Sequence, residues 1–361
     1  MQKMPTWADV ILIPVINLLL ALFISGLIIA AIGKDPFQAL WMMIDGSFGS
    51  TRGWGYTLYY TTTFIFTGLA VSVAFHARMF NIGGEGQAAL GGLGVALVCL
   101  GIDWPHWTLA LPAAIVGGAV FGGAWAFFPA ILQAKRGSHV VITTIMFNFI
   151  AASLMGYLLV NVLREPGNMA SETRDFTEGA HLPTFHEMLA PLGIEFNQHS
   201  PANISFLVAV LCCFLVWLLL WRTRLGYEIR SFGQSESAAA YAGISSTKII
   251  VVSMIISGAL AGLMAINNVM GEAERLIDNF TEGAGFIGIA VALMGRSHPL
   301  GIFIAALLFG FLWQGGQEIQ FMGISREIVI VIQALVILFT GALDNMVRGP
   351  VENYFARQED Q

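Results

Sequence analysis

Apolar residues along this chain fall into long blocks separated by short polar stretches. A helix rises 1.5 Å per residue, so about 20 such residues carry it across a bilayer. On that rule the blocks predict spans near 9–32, 55–77, 81–102, 108–133, 139–163, 204–222, 248–271, 284–297, 299–318 and 326–346. The block 284–297, AGFIGIAVALMGRS, is too short to cross alone and reads as a half-helix. Residues 36–50 read as a further helix lying at the membrane surface.

Composition agrees with this reading. Of 361 residues, 56% are hydrophobic and only 11% charged, whereas a soluble domain carries roughly 25% charged residues. The expectation is an all-α, polytopic integral membrane protein of about ten transmembrane segments, forming one domain over residues 1–361. Forty glycines suit membrane helices, where they let backbones approach closely. A net charge of −6 and no basic patch argue against nucleic acid as a ligand. Cys99, Cys212 and Cys213 lie in apolar blocks and form neither a disulfide framework nor a zinc spacing. His181, His186 and His199 also lack metal-ligand spacing and read as solvated. No metal and no cofactor is expected. The first block is too long for a signal-peptide core and reads as a retained span.

Basic residues set the expected orientation. Lys135 and Arg136 follow the fourth span, and Arg222, Arg224, Arg230 and Lys248 fill the segment after the sixth. With Lys3, Arg348 and Arg357 they fall on one side, which places both termini in the cytoplasm. The stretch 164–203, acidic and containing four prolines, then lies outside. Spans two to five start outside and spans seven to ten start inside, which suggests two inverted-topology halves. Each half carries a glycine-interrupted polar segment, FNIGGEGQ at 80–87 and FTEGAGF at 280–286. Paired broken segments in opposed halves point to a transport site; glycine-rich helix contacts without a repeat are the rival reading.

The translocation-path or broken-helix candidates are therefore Asn81, Gly83, Gly84, Glu85, Gly86, Gln87, Asn148, Glu282, Gly283 and Gly285. A carboxylate at the bilayer centre costs about 2.5–3.5 kcal/mol on insertion scales, so Glu85 is expected to be paired, shielded or wet. Each neighbouring glycine weakens a helix by roughly 1 kcal/mol against alanine. The freed backbone is tolerated only inside protein or beside a water-filled cavity. The segment therefore reads first as an irregular turn whose loose backbone groups are satisfied by Asn81, Glu85 and Gln87, and second as a substrate contact. Asn148 sits mid-span and either bonds between helices or lines a path. Asn267, Asn268, Glu272 and Glu274 read as a solvated outer end of the seventh span.

The segment 223–247 holds a second signal. Ser235 suits an N-cap, Glu236 the positive end of a helix and Gly243 a stop, which predicts a short alanine-rich helix over 236–242. Too short to be stable alone, it reads as a docking element.

Four stretches carry a resemblance: TGLAVSVAFHARMFNIGGEGQAALGG (67–92), VITTIMFNFIA (141–151), WRTRLGYEIRSFGQSESAAAYAGI (221–244) and GFIGIAVALMGRSHPLGIFIAALLFG (285–310). The chain resembles permease subunits of bacterial ABC importers, in the group handling branched-chain amino acids, ribose-type sugars and nucleosides, and is most similar to the nucleoside-type branch. The resemblance implies an inner-membrane protein working with an ABC ATPase subunit, a second, dissimilar permease and an external substrate-binding lipoprotein. By the same resemblance the coupling role falls to Gly226, Arg230, Gly233, Glu236, Ala239 and Gly243. One departure concerns His139 and Val140, where that branch typically carries an Asn-Glu pair.

The implied function is a path for a small polar solute, a nucleoside first, then a sugar or a branched-chain amino acid. Gly33-Lys34 lacks the earlier glycine of a phosphate-binding loop and is followed by Asp35, so ATP hydrolysis is expected on a separate subunit. An ion-coupled transporter would want several ionisable groups at mid-membrane, and Glu85 is nearly alone there. An intramembrane enzyme would need a nucleophile or acid–base set, and neither HExxH nor GxSxG occurs.

Overall fold

A computed structural model describes residues 12–339, 347 and 349–351. Lys3, Arg348, Arg357, both termini and the ends of the first and last expected spans lie outside the described residues. The helices are α1 (Ile13–Ala31), α2 (Pro36–Phe48), α3 (Thr51–His76), α4 (Gly84–Gly101), α5 (Trp107–Arg136) and α6 (Val140–Asn161). A short α7 (Phe185–Leu189) precedes α8 (Ser205–Arg222), α9 (Arg224–Gln234) and α10 (Glu236–Tyr241). The series ends with α11 (Ser246–Ala265), α12 (Ala284–Met294), α13 (Pro299–Ile319) and α14 (Arg326–Ile337). The polypeptide is all-α. Among the described residues eight helices are long and apolar enough to cross a membrane. The remaining two apolar blocks form α12, with 11 residues, and α14, with 12.

Helix ends follow local chemistry. Asp35 accepts from the Phe37 and Gln38 amides to open α2, with Pro36 in its first turn. Gly137, at φ 65°, closes α5 in the left-handed conformation that glycine adopts without a Cβ clash. The seven residues after α11, Ile266–Glu272, continue as a π-helical turn. This is the widened geometry that recurs at functional sites.

The chain divides into two compact units, residues 1–57 with 311–361, and residues 58–310. In the first, α1 packs on α2 and α14, and Lys34 Nζ donates to the Met322 carbonyl at 2.7 Å. Phe48 stacks on Phe311 with ring centroids 5.3 Å apart.

In the second unit α4, α5 and α11 pack most closely. Their contacts are glycine on glycine: Gly91 against Gly262, Gly94 against Gly117, and Gly122 against Gly258. Gly118 and Gly122 on α5 face Gly258 and Gly262 on α11, two small-xxx-small pairs. Between lipid-soluble helices burial of apolar area gives little drive, so this backbone proximity supplies the packing.

The 164–203 stretch is ordered rather than a free loop. Thr184 and Glu187 form a reciprocal cap on α7. Residues 171–176 pair antiparallel with 273–278: the Thr173 amide donates to the Leu276 carbonyl at 3.0 Å, Phe176 to Glu274 at 2.8 Å, and Asp278 to Ser171 at 3.2 Å. Arg275 adds ion pairs to Glu172 at 3.2 Å and Asp175 at 2.8 Å. Two histidines read as solvated are built into this structure. His181 lies 3.0 Å from the Phe176 carbonyl and 3.3 Å from Glu274, and His186 lies 2.7 Å from the Phe196 carbonyl.

A side chain at Gly262 would strike the Gly118 carbonyl and the Gly122 backbone. Gly262→Val is therefore expected to destabilise the protein by about 1–3 kcal/mol through overpacking, seen as a lowered unfolding temperature and reduced monodisperse yield in detergent. Gly101→Val, where a Cβ meets nothing, serves as the control and should leave both unchanged.

Candidate functional site

Residues 79–83 run as an irregular turn into α4, whose first turn contains Gly84 and Gly86, so amides of this stretch need partners outside the helix ladder. Asn81 supplies several of them. Its Oδ1 accepts from the Gly83 amide at 2.9 Å and from Gln87 Nε2 at 3.1 Å, while its Nδ2 donates to Gln87 Oε1 at 2.8 Å and to Ser257 Oγ at 2.9 Å. Ser257 passes the chain on to the Ala70 carbonyl at 2.6 Å. Asn148 of α6 completes the turn: Oδ1 accepts from the Gly86 amide and Nδ2 donates to the Ile82 carbonyl, each at 2.9 Å. Asn81, Gln87 and Asn148 are all buried, and each amide is spent on holding the start of α4.

Glu85 faces a different helix. Its Oε1 accepts from Thr281 Oγ1 at 2.5 Å and from the Gly283 amide at 2.8 Å, and its Oε2 accepts from the Gly285 amide at 2.8 Å. A carboxylate in the first turn of α4 therefore caps the N-terminus of α12. The two helix starts touch through backbone, since a Cβ at Gly285 would collide with the Glu85 amide nitrogen and the Gly84 carbonyl carbon. Gly283, at φ 82°, makes the turn into α12 in a conformation that a side chain resists. The two polar segments, more than 190 residues apart in sequence, thus form one site.

The electrostatics balance. Each helix N-terminus carries about half a positive elementary charge. One carboxylate set against two such ends leaves the junction close to neutral. Hydrogen bonds to a charged group are worth about 1.5–3 kcal/mol each in stability studies.

Beside this junction lies a cavity of about 220 Å³, lined by Glu85, Gly86, Asn148, Asp278, Asn279, Phe280 and Thr281 among others. The ring of Phe280 sits over Gly92, where a Cβ would overlap it. Glu282 stands apart: it is exposed and outside the lining of the cavity. His139 precedes α6 and Val140 is buried at its start; neither lines the cavity.

A second buried polar cluster escaped the sequence reading. Asn267 and Asn268 are not a solvated helix end; they are 1% and 8% exposed. Asn267 Nδ2 donates to the Tyr59 carbonyl and Thr63 Oγ1, each at 2.9 Å, and its Oδ1 accepts from Ser205 Oγ at 2.9 Å and Asn203 Nδ2 at 3.2 Å. Asn268 Nδ2 donates to the Tyr59 hydroxyl at 2.8 Å. The paired asparagines inside an apolar run, opposite the TTT at 61–63, were the available signal.

In the 223–247 segment Thr223 caps α9 and Ser235 caps α10. Gly243, at φ 81°, follows α10. Gly226 is buried against the last carbonyls of α8, and half-buried Gly233 lies against the His76 carbonyl at the end of α3. Ala239 is 3% exposed and so belongs to the internal face of α10, while Glu236, Ser237, Ala238, Ala240, Tyr241 and Ala242 are exposed. Arg230 Nε is buried with no hydrogen-bond partner among the described residues. Hydrogen bonds from Lys248 and then Arg224 hold the Glu228 carboxyl below its ordinary range. This clasp is accordingly intact at neutral pH and is lost as pH falls through the depressed value.

The family described as branched-chain amino acid transport system, permease component, matches residues 54–341. The chain is 34% identical over 337 residues to the guanosine ABC transporter permease protein of Bacillus subtilis, covering 92% of this chain and 93% of that one. It is 33% identical to the glucose ABC transporter permease protein of Haloferax volcanii, with 90% of this chain and 86% of that one aligned. A nucleoside ABC transporter permease protein of Lactococcus lactis is 32% identical, over 91% and 90% of the two chains.

Removing the shared cap should unsettle the junction. Glu85→Ala is expected to lower the unfolding temperature and folded yield markedly, with Glu85→Gln intermediate because an amide retains acceptor capacity on one atom. Thermal unfolding of the purified protein checks the order, which would be refuted by variants as stable as the parent.

Proposed function

Because the chain belongs to the family of branched-chain amino acid transport system permease components, a family of ABC importer permeases whose ATP hydrolysis resides on a separate subunit, we propose that it forms the translocation path for a nucleoside. The observation that carries this reading is the cavity beside the Glu85 junction. It combines an aromatic ring, Phe280, with the side-chain carboxylate of Asp278 and amide of Asn279, beside Asn148 and Thr281, which are already hydrogen-bonded within the protein. A base offers a flat face to an aromatic ring, and its edges and ribose offer donors and acceptors. The guanosine and nucleoside relatives support the same class of solute. A sugar is the second reading, favoured by the glucose-permease relative and served by the same polar groups. A branched-chain amino acid fits less well, because its carboxylate would compete with Glu85 for the helix-start amides.

The permease lies in a bacterial inner membrane with both termini and the 223–247 segment in the cytoplasm, as the distribution of basic residues supports. A second, dissimilar permease completes the path. A substrate-binding lipoprotein delivers solute from the side of the 164–203 stretch, whose pairing with 273–278 reaches the residue next to Asn279. The exposed face of α10 receives the ATPase. α9 passes the movement inward through the contact of Gly233 with the end of α3.

Deleting the chain from its host should abolish uptake of radiolabelled guanosine and leave leucine uptake intact; loss of leucine uptake alone would refute the nucleoside reading. Replacing exposed Ala240 by Trp should leave the protein inserted, remove the ATPase from the co-purified complex and reduce uptake at least tenfold. Normal ATPase recovery from that variant would remove the coupling assignment. Ala239→Trp is the less informative change, since that residue is packed internally.

A further inference from the structure

We infer that Asp278, acting beside Glu85, makes the cavity select solutes by charge, admitting neutral polar molecules and rejecting those that carry a phosphate or carboxylate. The inference rests on the nucleoside-permease reading and adds to it the feature of the solute that is tested and the residue that tests it.

The argument is an account of hydrogen-bonding capacity. Helix N-termini are ready anion sites, since their free amides and positive ends both attract negative charge. Two of them converge here, yet amides of both are engaged from within: Gly283 and Gly285 donate to Glu85, which also accepts from Thr281, and Gly86 of α4 donates to Asn148. Asn148 is likewise committed through both of its amide atoms. The Thr281 hydroxyl donates to Glu85. Among the polar side chains lining the cavity, Asp278 and Asn279 remain, both exposed to it and with no side-chain hydrogen bond among the described residues.

Asp278 is held in place by its backbone, whose amide donates to the Ser171 carbonyl at 3.2 Å. Its free carboxylate accepts hydrogen bonds and donates none. A vicinal diol, or the adjacent N–H groups on the edge of a guanine, presents two donors at the spacing of its oxygens. An anionic solute finds the opposite conditions. Of the two carboxylates lining the cavity, Glu85 is balanced by the helix ends and Asp278 is not, and among the described residues no lysine, arginine or histidine lines it. The amides that would have compensated the solute's charge already belong to Glu85. Exclusion of anions is therefore built into the lining.

The test is equilibrium binding of radiolabelled guanosine and guanosine 5′-monophosphate to the assembled transporter in nanodiscs, without the external binding protein. The parent should bind guanosine in preference to the monophosphate. Asp278→Asn should narrow that preference by about tenfold, the weight of one unit charge a few ångströms away in a wet site, and Asp278→Lys should narrow it further. Asp278 is exposed, so both variants are expected to fold; unfolding temperatures equal to the parent's confirm that the change is local. An unchanged ratio in both variants, with guanosine still bound, would overturn charge selection and leave the nucleoside reading standing. A parent that binds neither these two compounds nor glucose would defeat the nucleoside reading and this inference with it. Were the parent to bind glucose instead, only the nucleoside reading would fall, and the glucose to glucose 6-phosphate ratio would have to respond to Asp278 in the same way.

Discussion

The second unit of this protein turns on one carboxylate that serves two helices. Glu85 belongs to the first turn of α4 and caps α12, so the positive ends of both helices meet a single negative charge. Without it, the Gly283 and Gly285 amides that open α12 would be left without partners in a low-dielectric interior, while Asn81 and Asn148 hold the start of α4. With it, the chain can break two helices beside a cavity and still satisfy their backbone, the condition under which irregular backbone is tolerated at membrane depth.

The surroundings serve that junction. The glycine contacts of α4, α5 and α11 bring backbones close enough that Ser257 on α11 reaches Asn81 before α4. Asn148 holds the same turn from α6. On the other side, the pairing of 171–176 with 273–278 fixes the strand of chain that descends to Thr281. The segment lining the cavity is thus tied at one end to the 164–203 stretch and at the other to Glu85. In an importer permease, where access must alternate, a segment held at both ends is well placed to respond to either side.

Much of the architecture was legible because lipid imposes a simple rule. Over the described residues, each of the ten apolar blocks coincides with a helix, and the shortest, 284–297, forms the 11-residue α12. The rarity of charge inside the blocks drew attention to Glu85. Its partners were less legible: the acidic residue in the second polar segment, Glu282, is exposed, and the capping is done by Thr281 and two glycine amides, which carry no chemical signature in a sequence. Asn267 and Asn268 were misread because a π-helical turn, invisible to a 3.6-residue period, carries them into the protein beside Tyr59 and Thr63. Ala239 and Ala240 are identical in type and adjacent, and only packing on α9 and α11 decides which is buried. The antiparallel pairing of 171–176 was hidden for a related reason, since isolated backbone bonds impose no hydrophobic alternation.

The most direct test of the central claim is a double-mutant cycle between Glu85 and Thr281, read by thermal unfolding of the protein in nanodiscs with Glu85→Gln, Thr281→Val and the double variant. The account requires coupling of about 1–3 kcal/mol, as for residues sharing one hydrogen-bonded network. Strictly additive effects of the two substitutions would show that the carboxylate does not join the two helix starts.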